Sequence, residues 1–262
     1  MTSGTPRPQI DTSRPHPARL YDYYLGGKDN YPVDRELAEK LAKGAQRGAQ
    51  INREFMHRAV AWAAGSGADQ FLDIGTGIPT RPNLHQIVQA IVPAARIVYA
   101  DNDPIVLRHA EALLVSTPEG ATAYVETDVR RPADILEEAR RLLDFERPVV
   151  LSLVALLHFL GDDDDPYKVV RTLVDALPPG SLLVISHGTA DFLDPEQAAK
   201  VTSTYRSGGI TLRPRTRAEV ARFFEGLDLV DPGLVRAPEW YKDTPAPANE
   251  ESGFYVGVAR VR

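Results

Sequence analysis

The fold of this chain is decided by one stretch, Gln70-Phe71-Leu72-Asp73-Ile74-Gly75-Thr76-Gly77-Ile78-Pro79-Thr80. It begins with apolar residues, as a buried parallel strand does, and then breaks into two glycines one residue apart. The residues from Pro82 to Ile91 follow with apolar side chains at helical spacing. A strand, a glycine-rich turn and a helix in this order predict the opening of a nucleotide-binding βα unit.

The acid before the first glycine bears on which cofactor this turn would hold. A dinucleotide fingerprint has the form G-x-G-x-x-G/A, and here Thr80 stands at the third glycine position. Asp73 would repel a pyrophosphate, but it suits S-adenosylmethionine, which carries an ammonium and a sulfonium. Asp-x-Gly-x-Gly therefore favours a methyltransferase over an NAD(P)-linked oxidoreductase. An ordinary tight turn with an incidental aspartate is the third interpretation.

Two further predicted strands also end in acids. Asp101 ends the strand 96–101, where a carboxylate can accept hydrogen bonds from both ribose hydroxyls of a cofactor. Asp128 ends the next strand, where it could accept from an adenine amino group. Capping of the following helix is the alternative for each acid, and Asp103 before Pro104 is expected to be such a cap. The predicted cofactor-binding residues are Asp73, Gly75, Thr76, Gly77, Asp101, Asn102, Asp128, Val129 and Leu153.

These motifs resemble a known family. The stretches 72–80 and 98–104, with Asn83 and His85, are similar to a bacterial S-adenosyl methyltransferase family long known as a domain of unknown function. The N-terminal segment 18–30 and Ser186-His187 match it too, and the N-terminal motif is the specific part. The resemblance extends over residues 15–262. It implies a class I methyltransferase fold and S-adenosylmethionine as cofactor, and it implies no particular substrate.

The order of predicted elements gives the expected architecture. Strands and helices alternate from residue 70 to residue 186, with crossovers long enough for right-handed parallel connections. The last two strands, 227–235 and 253–261, are joined without a helix and are predicted to be antiparallel. We expect an α/β, Rossmann-like fold with a seven-stranded, mostly parallel sheet and an antiparallel last strand. The expected divisions are a flexible segment 1–17, a helical lid segment 18–66 and the methyltransferase core 67–262.

The N-terminal segment is predicted to close over the site. Four tyrosines cluster between residues 21 and 31 beside Gly26-Gly27, which is typical of a hinge or turn. Tyr21, Tyr24, Lys28 and Asn30 are expected to form a lid over cofactor or substrate. The alternative is a helix whose aromatic side chains fill the core. Two helices are predicted to follow, over 32–45 and from an N-cap at Asn52 to residue 64.

Composition excludes several classes of site and partner. The formal charge of −6 argues against a broad nucleic-acid-binding surface, and the absence of cysteine excludes disulfides and thiolate metal sites. The first 17 residues contain no apolar core of a signal peptide, and the longest apolar run, 148–160, is too short to span a bilayer. We expect a cytoplasmic protein with no nucleic-acid, membrane or metal partner. The acid run 162–165 is expected to open a helix.

Candidate catalytic residues follow from the chemistry of methyl transfer, which needs alignment and can need a base. His158 and His187 each follow an apolar strand and are candidate general bases, with a structural histidine as the alternative. The fourth strand end, 152–158, lacks the Asn/Asp-Pro-Pro-aromatic pattern of many DNA and protein amino-methyltransferases. This argues against exocyclic base amines and favours small molecules or hydroxyl-bearing substrates, and we expect a small-molecule acceptor. A protein that binds the cofactor without turnover is the second functional hypothesis. Arg53, Lys28 and Arg81 are candidates for holding the cofactor carboxylate.

Overall fold

Five parallel strands form the centre of the sheet in a computed structural model that describes residues 11–41, 44–113, 115–240 and 252–262. The strands are β1 (Gln70–Ile74), β2 (Arg96–Asp101), β3 (Ala121–Glu126), β4 (Val150–Val154) and β5 (Leu182–Gly188). Their spatial order is β3-β2-β1-β4-β5, so the order reverses between β1 and β4. Ligands of open α/β sheets bind outside the carboxyl ends of the strands at such a reversal.

The far edge of the sheet is antiparallel. β8 (Phe254–Arg260) pairs along the whole of β5, from Leu182 opposite Arg260 to Gly188 opposite Phe254. β6 (Asp228–Leu229) and β7 (Val235–Arg236) then pair with opposite ends of β8. The antiparallel pairing of the last predicted strands is therefore confirmed.

The described sheet has eight strands, so the predicted number of seven is wrong. The single strand predicted over 227–235 is two short strands. Pro232 has no N–H to donate to a ladder, and Gly233 follows it with φ +85°. Gly233 N–H donates to Val230 at 2.8 Å, which turns the chain between β6 and β7.

Nine α-helices surround the sheet in the described residues. They are α1 (Pro17–Tyr24), α2 (Pro32–Lys40), α3 (Ala45–Gly65), α4 (Leu84–Ile91), α5 (Pro104–Leu113), α6 (Pro132–Ala139), α7 (Pro166–Val174), α8 (Pro195–Ser207) and α9 (Arg217–Ala221). One face of the sheet packs against α6 and α7 through a large apolar cluster. The other face packs against α3, α4 and Trp240. None of the described helices is long and apolar enough to cross a bilayer.

Two predicted helix starts are wrong. α3 begins at Ala45, and Asn52 lies inside it with no exposed surface, because Ala49 and Ile51 carry the buried stripe upstream. The buried Asn52 amide donates to the hydroxyl of Tyr21 and caps nothing. α4 begins at Leu84 after the N-cap Asn83, whose N–H is accepted by Gln86 at 2.8 Å, so Pro82 precedes the first turn.

Helix α1 packs over the carboxyl edge of the sheet, and α2 packs against α1. They share an apolar cluster with the loop after α8, formed by Leu20, Tyr24, Leu37, Leu41 and Ile210. α1 also packs directly against α3. The N-terminal part of the chain is thereby placed above the ends of β1 and β4.

Candidate functional site

A cavity of about 340 Å³ lies at the carboxyl ends of β1, β2 and β4, between the strand ends and the helices α1 and α3. Its volume falls in the range of small-molecule sites. The strand side is lined by Asp73, Gly75, Thr76, Gly77, Asp101, Asn102, Thr127, Val129, Arg130 and 154–156. The opposite side is lined by residues 15–18, Tyr21, Asn52, Arg53, Met56, Phe159, Leu160 and 209–211.

The glycine turn after β1 forms the floor of this cavity. Gly75 and Gly77 have φ of +75° and +66°, which side chains of L-residues rarely adopt. A Cβ added to Gly75 would lie 2.7 Å from Leu156 Cδ1, so the absence of a side chain at Gly75 leaves room for Leu156 in the loop after β4. A Cβ on Gly77 would lie 4.0 Å from Ala18. The close approach at Gly75 is thus to a protein side chain, where the sequence predicted a ligand.

Asp101 stands at the end of β2 with its carboxylate fixed. Oδ2 accepts from Gly77 N–H at 2.8 Å, and Oδ1 accepts from Asp103 N–H at 2.9 Å. Burial raises the pKa of Asp101, and the two backbone hydrogen bonds oppose that rise. Each oxygen keeps a lone pair for a further donor. Asp103 accepts from Ile105 N–H at 3.0 Å, as the predicted cap of α5.

Asp73 and Arg53 form the charged centre of the cavity. Burial raises the pKa of Asp73 to about 6, and the nearby Ser152 and Arg53 lower it in part. Arg53 reaches from α3 and donates through Nη2 to the carbonyl oxygens of Thr80 and, at 2.9 Å, Pro82. Arg53 therefore ties α3 to the chain that follows the glycine turn.

Of the three predicted partners for the cofactor carboxylate, Arg53 alone lines the cavity. Lys28 and Arg81 are exposed and lie outside its lining.

Tyr21 and Asn52 make a polar wall above the glycine turn. Tyr21 Oη donates its one proton to Ala49 C=O at 3.0 Å, so it can only accept from the Nδ2 of Asn52 at 2.9 Å. This fixes the orientation of the Asn52 amide. Its buried Oδ1 has no hydrogen-bond partner among the described residues. An unsatisfied buried oxygen of this kind is favourable only when a ligand or water donates to it.

The other predicted lid residues lie outside the cavity lining. Tyr24 is buried in the cluster shared by α1 and α2. Asn30 donates to Asp22 at 2.7 Å and accepts from Arg35 at 2.6 Å, so it holds the turn after α1. Of the four predicted lid residues, Tyr21 is therefore the one that lines the cavity.

The predicted adenine-binding region forms a polar chain at the cavity edge. Asn102 donates to Asp128 at 2.8 Å, and Arg130 pairs with both Asp128 and Asp164. Asn102, Val129 and Arg130 line the cavity, whereas Asp128 is held behind them. Leu153 is fully buried in the sheet, and its neighbour Val154 reaches the lining instead.

His158 and His187 lie in a buried cluster outside the cavity lining. His158 Nδ1 accepts from Gly188 N–H at 3.1 Å, and His187 Nε2 lies 3.2 Å from Nη1 of Arg215. Burial, with Arg215 nearby, lowers the pKa of His158 well below its ordinary value and that of His187 to about 3. The lowered pKa values favour neutral rings at physiological pH. His158 joins the loop after β4 to β5, and His187 joins β5 to Arg215. Their predicted catalytic role stays a prediction.

Several lining residues were not predicted as site residues from the sequence. Residues 15–17 fall in the segment expected to be flexible, of which 1–10 lie outside the described residues. Asn52 was predicted as a helix cap, and Met56 carried no distinguishing pattern. The signal that could have identified Asn52 was a polar residue inside an apolar stripe, which suggests a buried hydrogen bond. In the described part of the chain, no three His, Asp or Glu side chains are grouped so that they could hold a metal ion.

Comparisons with known proteins bear on the family of this chain. The sequence profile of the S-adenosyl methyltransferase family matches residues 3–262. A solved DUF574 family protein from Streptomyces avermitilis is 46% identical, with a TM-score of 0.93 over 97% of this chain and 100% of its own. A candidate methyltransferase from Thermobifida fusca is 39% identical, with a TM-score of 0.88 over 99% and 100%.

More distant similarity concerns the fold alone. A SAM-dependent methyltransferase from Anabaena variabilis is 11% identical, with a TM-score of 0.54 over 100% of this chain and 99% of its own. No curated protein sequence matches this chain. The profile match covers nearly the whole chain. The chain therefore belongs to the S-adenosyl methyltransferase family, whose enzymes use S-adenosylmethionine as methyl donor.

Proposed function

We propose that this methyltransferase acts on a small molecule, which binds beside the cofactor beneath α1 and α3. The observation that carries the proposal is the position of the cavity. Helices α1 and α3 and residues 209–211 stand opposite the strand ends, so the space for an acceptor lies between protein surfaces. A macromolecular acceptor would need an open face at that point.

The chemistry of the lining residues fits S-adenosylmethionine. Asp101 offers two fixed carboxylate oxygens to a ribose, and Asp73 offers a negative charge to an ammonium. Arg53 offers a positive charge to a carboxylate from the facing helix. The unpaired Oδ1 of Asn52 provides a further acceptor in the same region. We place the ribose at Asp101 and the amino acid end between Asp73 and Arg53.

The acceptor region is apolar. The cavity is lined by Leu156, Phe159 and Leu160, which follow β4, and by Met56 and Ile210. Such a surface favours an acceptor with an apolar body and one polar nucleophilic group. The main contribution of these residues is to hold the nucleophile in line with the transferred methyl group and to exclude water.

His158 and His187 lie outside the cavity lining, so the proposed transfer uses neither ring. When bound, S-adenosylmethionine supplies an electrophilic methyl group on a sulfonium. An amine or thiolate acceptor can attack without a protein base, whereas a hydroxyl needs one. Asp73 lines the cavity with its pKa raised to about 6, which would suit proton acceptance, although its proximity to Arg53 favours a binding role.

The experiment measures turnover with three acceptor panels: small metabolites, peptides and RNA. Release of S-adenosylhomocysteine is followed with each panel, and product mass confirms the added methyl group. Wild-type turnover with small metabolites, abolished in Asp101→Ala, supports the proposal. Turnover confined to peptides or RNA would overturn it.

A further inference from the structure

His16 precedes α1 and is held in place by two acids, one in α2 and one just before α5. Its backbone N–H donates to Asp34 Oδ1 at 2.9 Å, and its ring Nδ1 lies 3.1 Å from Asp103 Oδ2. Asp34 belongs to α2, and Asp103 precedes α5. His16 is also the N-cap of α1, since Nδ1 accepts from Ala18 N–H at 3.3 Å. The position of its ring is therefore set by contacts distant in sequence.

Arg19 reinforces the same arrangement from the first turn of α1. It is 4% exposed, and its guanidinium lies 3.5 Å from Asp103 and 3.7 Å from Asp34. Asp34 itself has no exposed surface and also accepts from Tyr31 N–H at 2.8 Å. Two buried carboxylates thus share one buried guanidinium, and both contact His16: Asp34 accepts from its backbone N–H, and Asp103 lies beside its ring. A buried cluster of this kind holds α1 against the start of α5.

This anchor is joined directly to the proposed ribose site. Asp103, which contacts His16, donates its backbone N–H to Asp101 Oδ1 at 2.9 Å. His16 and Asp101 both line the cavity. On the other side of Asp101, Gly77 lies beneath Ala18. The start of α1 therefore covers the same end of the cavity that holds the Asp101 carboxylate.

We propose that His16 is a cofactor-binding residue, whose Nε2 donates to a ribose hydroxyl oxygen held by Asp101. The inference rests on the proposed placement of the ribose at Asp101. The His16 side chain is 28% exposed, and its Nε2 has no hydrogen-bond partner among the described residues.

The donors and acceptors match. In the neutral ring, Nδ1 accepts from Ala18 N–H, so the ring proton is on Nε2. In the doubly protonated ring, Nδ1–H donates to Asp103 instead, and Nε2 again carries a proton. A ribose hydroxyl that gives its proton to Asp101 keeps lone pairs for this donor. The N-terminal segment thereby takes part in cofactor recognition.

The test uses His16→Asn, because the asparagine oxygen can replace Nδ1 as the cap of α1 while nothing replaces Nε2. Calorimetry is performed on the full chain with S-adenosylhomocysteine and with 5′-methylthioadenosine, which share the adenosine part. Loss of one hydrogen bond should weaken both ligands by the same factor, about five- to tenfold. Hydrogen exchange of residues 17–24 in the free protein checks that α1 stays docked.

Arg19→Lys is the matched control, because it loosens the anchor of α1 and leaves the His16 ring unchanged. We expect a smaller loss of affinity in Arg19→Lys than in His16→Asn. Equal losses, or wild-type affinity in His16→Asn, would overturn the inference. Asp101→Asn separates the two assignments. If Asp101→Asn and His16→Asn both bind with wild-type affinity, the placement of the ribose at Asp101 fails. If Asp101→Asn is weakened and His16→Asn is not, only the role of His16 fails.

Discussion

The carboxylate of Asp101 accepts a hydrogen bond from the backbone N–H of Gly77 at 2.8 Å. This bond joins the end of β2 to the glycine turn after β1. The second oxygen of Asp101 is fixed by Asp103 N–H. Because the protein holds the carboxylate before any ligand binds, little ordering remains to be done on binding, which favours affinity.

Replacement of Asp101 by alanine should weaken the cofactor strongly. Loss of two charge-assisted hydrogen bonds to the ribose should cost about 2–4 kcal/mol, roughly 30- to 1000-fold in Kd. Calorimetry with S-adenosylhomocysteine measures this, and Asp134→Ala on the surface of α6 is the control. An unchanged Kd in a folded Asp101→Ala protein would remove Asp101 from the site.

Gly75→Ala tests the close approach of Leu156. The new methyl group would meet Leu156 Cδ1 at 2.7 Å in a backbone conformation with φ +75°. Gly233→Ala is the matched control, because Gly233 has φ +85° and open space around it. Both variants should lose about 1–2 kcal/mol of stability to backbone strain, and Gly75→Ala a further 1–3 kcal/mol to overpacking. Equal melting temperatures in the two variants would contradict this account.

Asp73 should make stability and cofactor affinity respond oppositely to pH. Its pKa of about 6 in the folded protein exceeds the ordinary 3.8, so its contribution to stability is present at low pH and lost as pH rises through 6. Asp73→Asn should therefore stabilise the free protein at pH 7.5 by about 1–3 kcal/mol and have little effect near pH 4.

The same carboxylate should favour cofactor only when ionised. Affinity for S-adenosylhomocysteine in the wild type should fall as pH decreases through 6, and less so in Asp73→Asn. Urea unfolding and calorimetry at each pH provide the two measurements. A destabilised Asp73→Asn at pH 7.5 would show that the ionised carboxylate contributes to the fold.

His187 should make the protein sensitive to acid. Its pKa is lowered to about 3, so below pH 6.5 the unfolded chain binds a proton that the folded protein does not, and stability falls. His187→Phe keeps an aromatic ring against Phe223 and removes this titration. We expect its stability to fall by about 1–2 kcal/mol less than that of the wild type between pH 7 and pH 5. Identical pH dependence in urea unfolding would show that His187 titrates normally.

Cofactor should protect the N-terminal helices, because α1 and α3 form the cavity side opposite the strands. We propose that residues 18–66 act as a lid, and we expect slower hydrogen exchange over 17–31 with S-adenosylhomocysteine than without it. The strands should change little, since they are buried in both states. Equal protection with and without ligand would mean that Tyr21 and Tyr24 only fill the apolar cluster.

The sequence by itself determined the class of fold and the nature of the cofactor. Apolar strands ending in Asp73 and Asp101, with glycines between them, are local patterns that specify a βα unit and its cationic ligand. Alternation of strands and helices with long crossovers required parallel pairing, and the connection before the last strand required antiparallel pairing. These features follow from hydrophobic periodicity and from the lengths of the connections, both of which can be read directly from the sequence.

The tertiary structure alone decided which side chains reach the cavity. His16, Tyr21 and Arg53 all belong to the chain that precedes the core. Asp34 and Asp103 position His16, Ala49 and Asn52 position Tyr21, and the chain after β1 positions Arg53. His158 and His187 follow strands as the predicted bases should, yet Arg215 and Phe223 hold them in a buried cluster. Adjacent residues at the end of a strand point to opposite sides of the sheet. The sequence pattern therefore predicts where a strand ends, whereas packing against residues distant in sequence determines which of its side chains reach the cavity.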